Sequence, residues 1–375
     1  MKKINLAIVR QKYRSDGGAE RFIERALQSI EKTTNLDISI ITRKWSGEKS
    51  KKIKEIICNP TYISRIGREA SFSREASRLF HQFDLVQSHE RIPGCHIYRA
   101  GDGVHKEWLR HKKRISSPLH KLGINLSLFH NYICNQEKKT FEDKNLKAVI
   151  CNSKLIKNEI LKNFNIPDEI IHVIYNSIDK KHFNPSECEK HRETTRAKLN
   201  IPKNATTFIF VGSGFERKGL NSAISAIGKT KDNHLIVVGK DKNTKKYKKQ
   251  AIKNSCAERV HFIGHTSDPR PYYGASDLLL LPTIYDPFPN VILEAFASGL
   301  GVITSNTCGG KDIIEDGING FIIDAFSIDS ICNAINKIDK KTIERLKNNS
   351  VKTIEKMTPE ELNNNLSNLY YSLTK

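Results

Sequence analysis

The chain lacks any pair of cysteines at metal-ligating or redox spacing. Its eight cysteines, at 58, 95, 134, 151, 188, 256, 308 and 332, are scattered with no C-x-x-C, so neither a zinc site nor a disulfide framework is indicated. Reduced thiols fit a cytoplasmic protein. Long apolar runs are missing too, since no segment approaches the roughly 18 uninterrupted apolar residues of a membrane span. The start, MKKINLAIVR, is interrupted by Asn5 and ended by Arg10 before any small-residue cleavage site, and it reads as a first β-strand. No internal repeat or low-complexity tract is present, and no D-x-D metal motif stands near the candidate site residues described below.

What the sequence has in excess is positive charge: 62 Lys and Arg against 41 Asp and Glu, a net +21. Such a balance attracts nucleic acid, acidic lipid head groups or a phosphorylated substrate. Lysines such as Lys245, Lys246, Lys248 and Lys249 are also what an AT-rich genome writes onto a solvated face. Charge therefore carries weight only beside other site features.

Short β-rich runs alternate with helical patterns along nearly all 375 residues, the signature of parallel sheets wound with helices on both faces. In the first half they are INLAIV, DISIIT, EIIC, DLVQSH, HIYRAG, KAVICNS and HVIYN. A polar stretch, SECEKHRETTRAKLNIPKN, follows Asn184-Pro185 and reads as the connection between domains. A second series then runs TFIFVGS, HLIVVG, VHFIG, DLLLLP, GVITSN and GFIID. The expected architecture is α/β, with an N-terminal Rossmann-like domain over 1–185, a second over 186–355, and a C-terminal helix over 356–375 packing back on the first.

Open parallel sheets bind ligands beyond the carboxyl ends of their strands, so the residues just after each strand are the candidates. After TFIFV comes GSGFERKGL: Gly212 and Gly214 free the backbone for a tight turn, Arg217 and Lys218 add two cations, and a helix starts near Gly219. Glycines, cations and a helix N-terminus together describe a diphosphate site. After the first strand, RQKYRSDGGAERF places Gly17 and Gly18 before a helix; alone, that pair is an ordinary strand-to-helix loop. After DLLLLP, Asp286 falls in a loop, Pro287 and Pro289 stiffen the backbone, Asn290 is placed to cap a helix, and Glu294 sits a turn inside it with Gly299 as terminator. Two carboxylates so placed suit neighbouring hydroxyls of a sugar or ribose, although an acidic helix start is also favoured by the helix dipole.

The string SGFERKGL, followed by YDPFPNVILEAFASGLGVITSNTCGGKDIIEDGINGF, resembles the C-terminal domain of glycosyltransferase family 4, retaining enzymes of GT-B architecture. The likeness extends through GGAER, ICNSK, YNSID and the helical tail. It implies two Rossmann-like doubly wound domains facing a central cleft, with Arg217 and Lys218 on the donor diphosphate and Glu294 on the ribose. Gly17, Gly18, Gly214, Pro289 and Asn290 complete the donor site it implies. The family's first glutamate contacts the donor sugar, and here that position is Asp286, shorter by one methylene. YRAGDGVH resembles a segment of lipopolysaccharide-core transferases in which an aspartate lies by the reaction centre, which points to Asp102; Asp-Gly is also a common turn dipeptide. His89 and His105, near it, are the acceptor-side candidates.

The segment 105–133, HKEWLRHKKRISSPLHKLGINLSLFHNYI, is strongly basic with interspersed Trp and Leu. It suits an anionic membrane surface, or else a pair of core-facing helices with a cationic outer face. The expectation is a metal-independent transferase, with no cofactor beyond its sugar-nucleotide substrate. Its donor is expected to be a UDP-sugar carrying a hexose or N-acetylhexosamine, its acceptor a lipid-linked or core saccharide of lipopolysaccharide, and its location cytoplasmic at the inner membrane. The alternatives are a capsule, O-antigen or protein-glycan transferase, a catalytically silent sugar-nucleotide binder, and a basic nucleic-acid-binding protein. The last lacks any recognition motif and leaves the carboxylate pair without a role.

Overall fold

Every apolar run named above forms a strand in the computed structural model, which describes residues 3–14, 36–46 and 53–374. Two compact units result: one through Ser177, rejoined from Pro359 onward, and one spanning Ile178–Thr358. The division thus falls at Ser177, earlier than the expected 185, and the return falls at Pro359.

In the first unit, strands β1 (Ile4–Val9), β3 (Leu36–Thr42), β5 (Lys54–Ile57), β6 (Leu85–Ser88), β7 (Ile97–Arg99), β8 (Ala148–Cys151) and β9 (Ile171–Val173) form one sheet. Its order is β5-β3-β1-β6-β7-β8-β9 and all pairs are parallel. A small parallel pair, β2 (Lys12–Arg14) and β4 (Lys44–Ser46), extends from the ends of β1 and β3; three-residue polar strands carry too little pattern to be read from sequence. Ile4, Leu6 and Ile8 alternate onto one face of β1, as period-two packing requires. That face is completed by the C-terminal helix Pro359–Ser372, whose Leu362, Leu366, Leu369 and Tyr370 join the same core. Spacings of four, seven and eight place them on one helical stripe. Tyr370 Oη, buried, donates to Gln87 Oε1 at 2.8 Å. Truncating Leu366, which is wholly buried, is expected to cost about 2–5 kcal/mol.

The second unit holds β10 (Thr207–Val211), β11 (His234–Val238), β12 (Val260–Gly264), β13 (Leu278–Leu281), β14 (Gly301–Ser305) and β15 (Gly320–Ile323). Their order is β12-β11-β10-β13-β14-β15, again all parallel. Counted from β10 this is 3-2-1-4-5-6, the dinucleotide-binding order, and its switch point lies between β10 and β13. The run Leu278–Leu281 is buried along its whole length, as a central parallel strand must be.

The polar stretch after Pro185 corrects the expectation of a linker. It forms two short helices, Pro185–Glu189 and Arg192–Lys198, that belong to the second unit. Arg192 donates to Gly274 O, Ser276 O and Asp277 Oδ1 at 3.0, 3.1 and 2.6 Å, and Arg196 to Ala275 O, Pro202 O and Ala205 O at 3.0, 2.7 and 2.6 Å. Two charges of this stretch are thus arginines spent on loop carbonyls and on Asp277.

Candidate active site

The loop after β10 and the loop after β13 emerge side by side at the switch point of the second unit. Gly212 and Gly219 shape the first loop. Gly212 has φ +135°, and a Cβ there would sit 2.5 Å from Lys218 Cε; Gly219 has φ +79°, and a Cβ there would sit 1.9 Å from Pro282 O. Only glycine lets the lysine stem cross the turn and lets the helix Leu220–Lys229 start against the neighbouring strand end. Phe215 N donates to Asp241 Oδ2 at 3.0 Å, while Arg217 O accepts from Ile284 N and Thr283 Oγ1, both at 2.9 Å. The two loops are therefore stitched together by backbone.

On that frame Arg217 Nη1 lies 2.7 Å from Asp286 Oδ2 and 3.0 Å from Tyr285 O, and Lys218 Nζ lies 3.4 Å from the same carboxylate oxygen. Asp286 and Lys218 are buried, whereas the Arg217 side chain is 36% exposed. Burial pushes the Asp286 carboxyl up, but the charges of Arg217 and Lys218 outweigh it and hold the group below the ordinary carboxylate value. The Asp286 backbone is pinned from both sides: its N–H donates to Thr307 O at 3.3 Å and its carbonyl accepts from Gly309 N at 2.8 Å.

Glu294 lies on the helix Asn290–Ala297, buried, and accepts from Tyr273 Oη at 3.0 Å. Tyr273 was not singled out in the sequence. It sits in the short helix Arg270–Gly274 before β13, and nothing in RPYYG signals a partner 21 residues on. The helix start also corrects an expectation: Pro289 takes the cap position with φ −74° and ψ 125°, Asn290 is the first helical residue, and no side chain caps. A fixed φ preorganises a proline there more cheaply than an amide can. The helix end is as read, with Gly299 at φ +81°. Gly299 N donates to Phe296 O and Leu300 N to Ala295 O, the paired bonds of a glycine-terminated helix.

The second unit thus brings Arg217, Lys218 and Asp286 into contact, and it also holds Gly214 on the first loop and Pro289, Asn290 and Glu294 at and along the helix after the second. The remaining candidates lie in the first unit. Gly17 and Gly18 fall outside the described residues. Asp102 is exposed on a turn in which Gly103 has φ +73° and donates to Ala100 O at 3.1 Å. Sealed chemistry supports that turn: Glu137, fully buried, accepts from Arg91 Nε at 2.9 Å and from His105 N at 2.9 and 3.1 Å, and Arg91 Nη2 donates to Gly103 O at 3.3 Å. His105 is half-buried with Nε2 3.0 Å from His130 Nδ1. Burial, then Arg91, His130 and Lys112, pushes it down to about 3. His89 is buried with Nε2 2.9 Å from Gln87 Nε2, and burial with Arg99 and Arg10 holds it well below the usual imidazole range. His89 therefore belongs to the packed strand end and presents no exposed face to an acceptor.

Among the described residues, Glu107, His111 and Glu159 are the three side chains grouped closely enough to hold a metal, with ligand atoms within 4.8 Å. Arg110 is ion-paired to Glu107 Oε2 at 2.6 Å, and Lys162 and Asn163 donate to Oε1 at 3.3 and 3.0 Å, so the group reads as an ion-pair network of the first unit.

Residues 191–353 match the family described as Glycosyl transferases group 1, and residues 16–182 match Glycosyltransferase Family 4. The chain belongs to these two-domain glycosyltransferases. It is 27% identical over 337 residues to the lipopolysaccharide glucosyltransferase WaaG of Escherichia coli K12, covering 87% of each chain. It is 31% identical over 143 residues to the lipopolysaccharide core biosynthesis glycosyltransferase LpsE of Rhizobium meliloti, 38% of this chain and 42% of that one. The crystal structure of WaaG superimposes with TM-score 0.81 at 23% identity, covering 97% of this chain and 99% of that one, which gives the fold as GT-B. The enzyme is accordingly a GT-B glycosyltransferase related to lipopolysaccharide-core transferases. Among the described residues no helix is long and apolar enough to cross a membrane.

Proposed function

We propose that this glycosyltransferase moves a hexose or N-acetylhexosamine from a UDP-sugar to a saccharide of the lipopolysaccharide core, with retention at the anomeric carbon. The observation that carries the reading is the convergence of Arg217, Lys218 and Asp286 at the switch point, where a nucleotide diphosphate belongs, with Glu294 on the helix that follows the Asp286 loop. A solved structure of this fold, Anabaena Alr3699/HepE, is described in complex with UDP and glucose, and WaaG and LpsE are described as lipopolysaccharide enzymes.

In this reading the anomeric C–O bond to the β-phosphate breaks as the acceptor oxygen bonds the same face. The acceptor proton passes to a leaving phosphate oxygen, and the nucleoside diphosphate departs. Arg217 and Lys218 stabilise the charge growing on that diphosphate, a preorganised electrostatic contribution that a cation pair can supply without a metal. Glu294, oriented by Tyr273, takes the ribose hydroxyls, and Asp286 faces the donor sugar. Asp102 serves the reacting end of the acceptor. Segment 105–133 rests on the anionic inner surface of the membrane that carries the acceptor, so the enzyme is cytoplasmic and peripheral.

The test is thermal stabilisation by UDP-, GDP- and ADP-sugars, repeated with Arg217→Ala and Lys218→Ala, followed by transfer to isolated core saccharide with the product anomer read by NMR. Stabilisation that survives both substitutions refutes the diphosphate assignment. An inverted product refutes retention.

A further inference from the structure

Ile63 is fully solvent-exposed, at 105% of its reference area, and Tyr62 beside it is half-exposed. An apolar side chain so displayed on a floppy loop would mean little, but this loop is held. Arg43, itself buried, lies under the Tyr62 ring at 5.0 Å and donates to Asn59 Oδ1 at 3.2 Å, Pro60 O at 2.8 Å and Arg68 O at 2.6 Å. Ser64 then caps the helix Arg65–Ser77. A guanidinium committed to carbonyls on both sides of residue 63 fixes the loop and projects Ile63 outward.

That loop lies beside a second exposed apolar element. Arg65 Cζ sits 4.1 Å from the Phe129 ring centroid, so the first residue of one helix meets the second residue of the helix Leu128–Phe141. Ile63 and Leu128, each next to that contact, therefore flank the same end of two adjoining helices. Leu128 is 75% exposed, and in the preceding helix Pro118–Leu126 the residues Leu119, Leu122 and Leu126 are exposed at spacings of three and four while Ile124 turns inward. Along the basic segment the charge has one sign: no Asp or Glu occurs between Glu107 and Glu137, a span that holds Arg110, Lys112, Lys113, Arg114 and Lys121, while in the helix after Ile63 the carboxylates Glu69 and Glu75 are paired with Arg68 and Arg78.

We infer that Tyr62 and Ile63 are a second anchor of the membrane face, so that an anionic lipid bilayer is gripped by two separate chain segments, 62–65 and 115–128. This rests on the reading of 105–133 as membrane-facing and adds a residue pair that the basic segment does not contain. Apolar side chains ringed by cations match an interface whose head groups are anionic and whose acyl boundary begins a few ångströms below. Two anchors side by side also fix the tilt of the unit on the surface, which one amphipathic helix leaves free to roll.

The test is sedimentation of the full-length enzyme with vesicles of phosphatidylethanolamine and phosphatidylglycerol. Ile63→Asp is expected to lower partitioning about tenfold, the double substitution Leu119→Ser and Leu122→Ser to lower it further, and Ile252→Ser, also exposed but in the other unit, to leave it unchanged. Unchanged melting of Ile63→Asp verifies the fold, since that side chain is fully exposed among the described residues. Binding that is lost in the leucine double variant but intact in Ile63→Asp overturns the second anchor and leaves the basic segment standing. Binding intact in both overturns the membrane reading itself. Loss of self-association without lipid in Ile63→Asp overturns the lipid assignment and makes this face a contact between copies of the chain.

Discussion

Asp286→Asn isolates the electrostatics of the donor loop. The aspartate shares one oxygen between Arg217 at 2.7 Å and Lys218 at 3.4 Å and is itself buried. Removing one partner of a buried pair costs roughly 3–5 kcal/mol. Arg217 is about a third exposed, so solvent recovers part of that, and about 2–3 kcal/mol is expected. For a unit of this size the melting temperature should fall by roughly 5–10 °C. The pH dependence has a definite sign. A carboxyl depressed in the folded state stabilises above its unfolded value and loses that contribution as pH falls through the folded one. The gap between wild type and variant should therefore be widest at neutral pH and close in acid. Nucleotide binding should move the opposite way, because the two cations no longer share their field with a carboxylate. At an effective dielectric near 20 and about 5 Å, one unit charge is worth roughly 3 kcal/mol before screening, and exposure cuts this to about 1–2 kcal/mol, a five- to thirtyfold tighter UDP. Turnover with the full donor should nevertheless drop, and Asp286→Ala should lower it sharply. The assay is calorimetric titration of UDP alongside thermal melts across pH. A variant that melts like wild type and binds UDP more weakly refutes this account.

Three further outcomes follow. Tyr273→Phe removes a donor to a buried carboxylate and should cost about 1–3 kcal/mol in chemical denaturation; unchanged stability would show that the 3.0 Å contact is dispensable. Glu137→Gln weakens a sealed pair with Arg91 and a bond to His105 N, with an expected loss of about 3 kcal/mol. Because Arg91 also holds Gly103 O, kcat should fall with little change in donor KM, and a variant that loses stability alone would detach the Asp102 turn from catalysis. His105 is pushed down to about 3 by burial and neighbouring cations, so the unfolded chain binds more protons between that value and the ordinary imidazole pKa. Stability should be complete above the ordinary value and decline as pH drops below it. Urea midpoints against pH should flatten in His105→Gln, and an unaltered slope would contradict the assignment.

The strands were readable because a parallel strand covered on both faces is an unbroken apolar run, and Leu278–Leu281 and Phe208–Val211 are that pattern. The switch-point residues were readable because glycine, adjacent cations and a helix start are local in sequence. Tyr273 was not, since its contact with Glu294 is tertiary and a tyrosine before a strand is ordinary core. The stretch after Pro185 was misread for a related reason: its arginines carry the same letter whether they face water or loop carbonyls. The exposed leucines of 119–128 were ambiguous between core and surface until the turn of the helix placed Ile124 inward and the others out.

Each unit sets an arginine against a carboxylate beyond its parallel sheet, and exposure separates their uses. Glu137 is wholly buried and spends its oxygens on Arg91 and a helix N-terminus, so its pair has no route to exchange and acts as scaffold. Asp286 is equally buried, but Arg217 reaches it from a position one-third open to solvent. A guanidinium in that position can turn its remaining donors to a phosphate without surrendering the aspartate. The pinned backbone of Asp286 keeps the shorter carboxylate from advancing, so the cations must come to it. Under the proposed donor site, Arg217 and Lys218 meet the shorter carboxylate at 2.7 and 3.4 Å, so the charge offered to a donor sugar would be set by three side chains acting together.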